Sequence, residues 1–387
     1  MSKIHLFALC VTFSLVGCQV TEPNTQVFVD PVYADKAFPY HHNVAIESEE
    51  EIFALSEPME QLVREISREP SSKDRVSELV SFLFESDQIG INYNSSANLT
   101  ARETFYSQNA NCMSLTVLSY ALAKAADLPA YFQRVDVPEY WVRNGSYNML
   151  TGHVNLVIFD ADRPLAQTVY GKNVYTIDFD PTMRKQAFPS EFVDKNTIMA
   201  MFYTNKGADA MVIGDTNKAY AYLKAATLID PFYDSAWGNL GVLYRQNNLP
   251  EQALKVYQNA LDINADNLTV LDNMAILYEL SGNVTQAQHI RESVHSKRLK
   301  NPYYHALLGT EAYYNGEYLA AVNHYKKAIR LDNKQHEFYF GIAKAYAELG
   351  ELDQVKRSLE RAKNYATYND DELRYDAKIQ FLNTARL

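Results

Sequence analysis

Cysteine is scarce in this chain of 387 residues, which holds only Cys10, Cys18 and Cys112. Positive charge is also in deficit, because 36 Lys and Arg face 47 Asp and Glu and the formal net charge is −11. This balance argues against non-specific affinity for nucleic acid or for an anionic membrane surface. Phosphate-binding loops, dinucleotide fingerprints and ligands at the spacing of a metal site are missing as well, so the sequence predicts neither a metal nor a cofactor.

Long apolar runs are missing except at the N-terminus. Residues 6–16 form an apolar run behind a lysine, and this run is too short to span a bilayer as a helix. It ends in the letters LVGC at 15–18, which resemble the lipobox of bacterial lipoproteins. That resemblance implies a signal peptide over residues 1–17 and a lipid on Cys18. Because Gln19 follows instead of aspartate, it also implies a lipid-anchored place in the bacterial cell envelope, at the outer membrane facing the periplasm.

The leader leaves Cys112 as the one thiol of the mature protein, since Cys10 is removed and Cys18 carries lipid. An unpaired cysteine is unusual in the envelope, because oxidising compartments pair structural cysteines. Cys112 stands in the stretch QNANCMSL, just ahead of an apolar run whose leucines recur at helical spacing. The pattern predicts that Cys112 begins a helix, where the helix dipole favours a thiolate. The competing interpretation is a small hydrophobe in the core.

The composition then divides the chain into a tether and a mixed domain. Residues 18–46 have no period and are rich in Thr, Pro and Asn, which suits a lipid-anchored tether. Residues 47–198 combine helical patterns with three β-like runs at 131–137, 153–160 and 174–181. A helix followed by several strands with short connections predicts an α+β domain.

The segment from 199 to 387 is predicted to be a repeat domain, because its sequence pattern recurs every 34 residues. Trp237, Gly241 and Tyr257 stand at positions typical of the tetratricopeptide repeat. Units are predicted near 200–233, 234–267, 268–301, 302–335 and 336–369. Such units stack into an all-α superhelix, whose concave face commonly holds a protein or peptide segment. Bracing of the preceding domain or self-association is the alternative use.

One histidine, His153, lies between residues 43 and 288, and it opens a predicted strand. An adjacent histidine activates a catalytic thiol, and a third group must then fix the orientation of its ring. Asp178 lies in the next predicted strand. Asp180 is one pleat repeat away on the same face, so the pattern leaves both carboxylates open as the third group.

The blocks ARETFYSQNANCMSLTVLSYALAKAADLPAYFQRVDV, TGHVNLVIF and VYTIDFDPT resemble the core of the transglutaminase-like superfamily. The resemblance covers roughly residues 75–185 and implies a papain-like cysteine-peptidase fold. It implies Cys112 as the nucleophile, His153 as the general base and Asp178 as the orienting carboxylate. The aspartate-proline ending of the family is matched by Asp180 and Pro181, so Asp180 is the alternate third member.

A Cys–His–Asp site predicts acyl transfer through an acyl-thioester, finished by water or by an amine. The oxyanion would be held by the backbone N–H of Cys112 and by a second donor, for which Gln108 and Asn109 are candidates. Bacterial members of the superfamily that the chain resembles look more like peptidases or amidases than crosslinking enzymes, so the resemblance favours hydrolysis over transamidation. We therefore expect an envelope lipoprotein that cleaves or transfers an amide or peptide bond while its repeats bind a protein or peptide partner. The alternative is a catalytically silent scaffold whose repeats mediate assembly.

Overall fold

The computed structural model describes residues 33–85, 89–144, 147–159, 174–178, 188–366 and 369–384. The predicted signal peptide, Cys18 and Asp180 lie outside the described residues. Within the described ranges, no helix has the length and apolar character needed to cross a bilayer.

The α-helices are α1 (Glu49–Ile52), α2 (Glu57–Ile66), α3 (Ser72–Phe84), α4 (Ala101–Ser107), α5 (Cys112–Ala125), α6 (Lys195–Val212), α7 (Thr216–Ile229), α8 (Asp234–Gln246), α9 (Pro250–Ile263), α10 (Leu268–Leu280), α11 (Val284–Arg298), α12 (Pro302–Tyr314), α13 (Tyr318–Leu331), α14 (His336–Glu348), α15 (Leu352–Tyr365) and α16 (Asn369–Thr384). The strands are β1 (Asn92–Tyr93), β2 (Asn109–Ala110), β3 (Ala130–Asn144), β4 (Tyr147–Phe159), β5 (Val174–Ile177) and β6 (Ser190–Val193).

A four-stranded antiparallel sheet of order β5-β4-β3-β6 organises the N-terminal part, which we define as α1 to β6. Its long central pair, β3 and β4, runs in register from Ala130↔Ile158 to Asn144↔Tyr147. Strand β3 thus extends past Asp136 and Val137, where the β-like sequence run ends. Pro138 lies inside the register shift between Val135 and Tyr140, where a residue without a backbone N–H costs no ladder hydrogen bond.

Helix α5 is the central helix of this part and packs against β3 and β4. Leu115, Leu118 and Leu122 are buried at helical spacing, and Leu156 and Ile158 of β4 belong to the same core. Burying apolar surface between one helix face and one sheet face is the usual way such layers are held together. The first turn of α5 is therefore held against the middle of the sheet.

The helices from α6 to α15 form antiparallel hairpins that stack along the chain. Helices α8, α10, α12 and α14 begin at residues 234, 268, 302 and 336, at intervals of 34 residues. The glycines of the repeat have a packing reason. A Cβ atom on Gly241 would overlap the ring of Tyr257, and one on Gly341 would overlap the ring of Tyr325. The small and aromatic positions of the pattern thus interlock, as the sequence period requires.

Part of the segment predicted as a tether packs on these repeats. Its described residues begin at 33, and Phe38 is only 1% exposed. The Phe38 ring stacks on Tyr220 with 4.4 Å between ring centroids. Asp35 accepts hydrogen bonds from the Tyr220 hydroxyl at 2.7 Å and from Lys224 Nζ at 2.6 Å. The described part of the predicted tether is therefore packed against the folded protein and is not a free linker.

Candidate functional site

Cys112 is the first residue of α5, and local hydrogen bonding explains why the helix begins there. The Asn111 side chain accepts a hydrogen bond from the backbone N–H of Ser114 at 2.9 Å, as an N-cap residue does. Cys112 is half-buried, and its Sγ lies 3.9 Å from the carbonyl oxygen of Gly152. The thiol thus stands at the positive end of a fourteen-residue helix and faces strand β4.

His153 follows Gly152 on β4 and is only 7% exposed. Its Nε2 atom lies 2.7 Å from Oδ2 of Asp178, which is the residue directly after β5. Because Nε2 donates to this carboxylate, Nδ1 is the ring nitrogen left to interact with the Cys112 thiol, which also affects the pKa of His153. The structure therefore brings together the three residues that the sequence singled out, from one helix and two neighbouring strands.

Burial and these two neighbours together determine the electrostatics of His153. Burial lowers the pKa of His153, but the hydrogen bonds to Asp178 and Cys112 and the charges of both outweigh it, so that the pKa is raised to about 10. The imidazolium is then the form that prevails at neutral pH. A cationic histidine next to a cysteine favours the thiolate, which is the nucleophilic form.

Asp178 also has a neighbour that the sequence did not suggest. Asn155, two residues after His153, donates from Nδ2 to Oδ2 of Asp178 at 3.2 Å. The Asp178 and Asn155 side chains also border an open cleft of about 850 Å³ between the sheet and α3. A carboxylate that accepts two hydrogen bonds on one oxygen is held in a fixed position, and so is the ring it binds.

The two side chains expected to stabilise the oxyanion, those of Gln108 and Asn109, have different surroundings. Gln108 is the C-cap of α4, in the left-handed conformation with φ of 54°, and its side chain is exposed. The Asn109 Nδ2 atom donates to the carbonyl of Ser107 at 2.6 Å. The backbone N–H of Cys112 belongs to the first turn of α5, where N–H groups have no acceptor within the helix.

Tyr140 of β3 is the group near the thiol that sequence reasoning missed. It lies directly opposite Thr151 in the sheet, and the two side chains are hydrogen-bonded. Burial raises the pKa of Tyr140, and the charge of Cys112 raises it further, which places the phenol within electrostatic reach of the thiol. No local pattern marks this tyrosine among the 28 of the chain.

Sequence-family models match two segments within the C-terminal half of the chain. A tetratricopeptide repeat model matches residues 235–267, and a TPR repeat model matches residues 301–350. Tetratricopeptide repeats are therefore present, and repeats of this kind indicate a scaffold for protein–protein interaction. No curated protein sequence matches the chain.

Solved structures with similar helical stacks include three with a TM-score of about 0.3. A chain of the APC/C hetero-tetramer Cut9–Hcn1 is 17% identical with a TM-score of 0.30, and the match covers 48% of this chain and 37% of that one. PilF of Pseudomonas aeruginosa is 18% identical with a TM-score of 0.30, covering 50% of this chain and 88% of that one. A tetratricopeptide repeat protein from Parabacteroides merdae is 21% identical with a TM-score of 0.29, covering 48% and 74%. This chain thus spans little more than a third of the length of the first of these.

Proposed function

We propose that this chain is an envelope lipoprotein, anchored by lipid on Cys18 in the outer membrane, whose transglutaminase-like domain uses Cys112 for acyl transfer. The repeats then bind the protein or peptide partner on which the site acts. One observation carries the proposal: the 2.7 Å contact between His153 Nε2 and Asp178 Oδ2, with the other side of the ring turned to the thiol. A histidine held between a buried carboxylate and a thiol is the arrangement that thiol-dependent acyl transfer needs.

The transglutaminase-like fold is supported by the order of the elements. The cysteine begins a helix, the histidine lies on the next long strand pair and the aspartate follows the neighbouring strand. That order is the one implied by the resemblance in the blocks around Cys112, His153 and Asp178.

The chemistry would proceed in two half-reactions. The Cys112 thiolate, paired with the His153 imidazolium that holds its proton, attacks the carbonyl carbon of an amide. The tetrahedral intermediate collapses, the C–N bond breaks and His153 gives its proton to the departing amine, which leaves an acyl-thioester on Cys112. Water then attacks the thioester while His153 takes one of its protons, and the carboxylic acid leaves as the thiol is restored. An amine in place of water would give transamidation, and we favour hydrolysis.

A catalytically silent scaffold is the second candidate function. It is favoured by the sequence-family matches, which fall within the repeats at 235–267 and 301–350 and not at the Cys112 site. In that case the repeats alone would carry the function, and the Cys112, His153 and Asp178 cluster would serve only to stabilise the sheet.

The rate of alkylation of Cys112 separates the two candidates. Full-length protein in detergent is treated with iodoacetamide at pH 7, and the Cys112 peptide is quantified by mass spectrometry. We expect His153→Gln to lower the rate about thirtyfold, because an ordinary thiol with a pKa near 8.5 is only about 3% ionised at pH 7. His336→Gln is the matched control, since it removes a buried histidine from the repeats. Equal rates in the protein and in His153→Gln would leave only the scaffold.

A further inference from the structure

The strands β3 and β4 continue beyond the sheet as a hairpin arm, residues 138–144 and 147–150, that lies on the repeats. Strand β3 contacts helix α12 along this arm. The residues it meets come from α10, from the end of α11 and from α12, more than 120 positions further along the chain. The repeats therefore already hold a peptide-like segment, and that segment belongs to this chain.

One contact in this interface is an ion pair whose arginine is buried. Arg298, at the end of α11, is 3% exposed, and its Nε and Nη2 atoms donate to the two carboxylate oxygens of Glu139 at 2.8 and 3.0 Å. Its Nη1 atom donates to Asp272 at 3.1 Å. A fork-shaped pair of this kind fixes direction as well as distance, and removing one partner leaves the other charge buried.

Further contacts hold the arm on both sides of that pair. The Asn301 side chain donates to the backbone carbonyl of Glu139 at 2.7 Å. The Arg298 guanidinium lies 4.9 Å from the centroid of the Trp141 ring, and Asn148 donates to Glu311 at 3.1 Å. Both strands of the arm are thus bound, and the backbone next to Tyr140 is bound directly.

Tyr140 connects this interface to the thiol. Its ring packs against Tyr303 of α12, with 5.5 Å between ring centroids, while its hydroxyl is bonded to Thr151. Thr151 precedes Gly152, whose carbonyl is the contact of the Cys112 thiol, and His153 comes next. One face of Tyr140 therefore meets the repeats and its polar end meets the strand that carries the site.

We propose that the repeats hold the Cys112 site in its working arrangement through the hairpin arm, with Glu139, Arg298 and Tyr140 as positioning residues. This inference rests on the proposed function. A partner that binds the same surface of α10 and α12 would have to displace the arm, and would thereby change the reactivity of the thiol.

Two substitutions test the two ends of this connection. Arg298→Met removes the charge that binds Glu139, and Tyr140→Phe removes the hydroxyl while keeping the ring on Tyr303. We expect both to slow alkylation of Cys112 about tenfold at pH 7 and to move its pH profile upward by about one unit, towards that of a free thiol. Arg298→Lys, which keeps the charge but loses the fork, should recover part of the rate.

The matched control is Arg291→Met on the same helix. Arg291 is paired with Glu279 on the exposed side of the repeats, so its loss should leave the rate and the profile unchanged. Should Arg298→Met fail to fold, Glu139→Gln opens the same ion pair from the other side and should give the same upward shift. If the Glu139–Arg298 ion pair had a purely structural role, Arg298→Met would lower the melting temperature but leave the pH profile of alkylation in the folded protein unchanged.

The outcomes separate this inference from the proposed function. If His153→Gln slows alkylation while Arg298→Met, Glu139→Gln and Tyr140→Phe keep both the rate and the profile, the positioning role is wrong and the proposed function stands. If His153→Gln changes nothing, the proposed function fails, and the positioning role fails with it. Slowing by all four variants, with Arg291→Met unchanged, supports both.

Discussion

The N-terminal part and the repeats both bury histidines, but they surround them differently. His153 is 7% exposed and meets the side chain of Asp178, which is itself only 2% exposed. His336 is 8% exposed and bonds the hydroxyl of Tyr375 at 2.8 Å, while its carboxylate neighbours Glu337 and Asp371 are 63% and 21% exposed. Water therefore screens the charges around His336 more than those around His153.

The difference shows what each part of the molecule does with a buried polar group. In the repeats, such groups complete the hydrogen bonds of helix packing, as His305 does when it donates to the carbonyl of Leu299 at 3.0 Å. In the N-terminal part, His153 and Asp178 instead form a buried pair next to a thiol. A desolvated charge pair next to a nucleophile is costly to keep unless it serves chemistry.

The largest difference in alkylation rate should come from replacing one buried aspartate in each of the two parts by asparagine. Asp178→Asn removes the charge that holds the His153 imidazolium, so we expect alkylation of Cys112 at pH 7 to fall by about tenfold or more. Asp234→Asn is its counterpart in the repeats, where Asp234 is 8% exposed and accepts from Asn264 at 2.7 Å. That variant should lose stability and keep the rate. Equal rates in both variants would remove the distinction between the two parts.

The pH dependence of stability offers a second way to separate them. The folded-state pKa of His153 is raised to about 10 from 6.5, so its proton stabilises the folded protein fully below about pH 6.5. That contribution is lost as the pH rises through about 10. We expect the difference in free energy of unfolding between the protein and His153→Gln to shrink steadily over this interval in urea titrations. A difference that stays constant from pH 6 to pH 10 would contradict the ion pair.

The two parts also differ in how much their sequence predicts. The repeats were predicted because Gly241 and Tyr257 recur with partners at a fixed period, and each pair interlocks locally. In the N-terminal part, the start of a helix at Cys112 follows from its cap and from the leucines behind it. The meeting of His153 and Asp178 followed from strand order and from the resemblance to a family. These signals are all local or ordered along the chain.

Contacts between the two parts left no such signal. Tyr140 meets Tyr303, and Glu139 meets Arg298, across more than 150 residues with no shared period. The packing of Phe38 on Tyr220 was missed for the same reason. These contacts depend on how whole elements dock, which only the assembled structure displays.

The smallest effect should come from two glycine substitutions, one at a tightly packed position and one at an open position. A methyl group on Gly341 would overlap the Tyr325 ring, whereas one on Gly152 meets nothing within 4 Å. Overpacking costs about 1–3 kcal/mol, and the helix preference of alanine returns up to about 1 kcal/mol. We therefore expect Gly341→Ala to lower the free energy of unfolding by on the order of 1–2 kcal/mol.

Gly152→Ala is the control in the N-terminal part and should leave that free energy within about 0.5 kcal/mol of the unaltered protein, as substitutions away from tight packing do. Urea unfolding of both variants measures the difference directly. A larger loss of unfolding free energy in Gly152→Ala than in Gly341→Ala would contradict this expectation. The strand beside Cys112 would then tolerate an added methyl group less well than the packed rings of the repeats do.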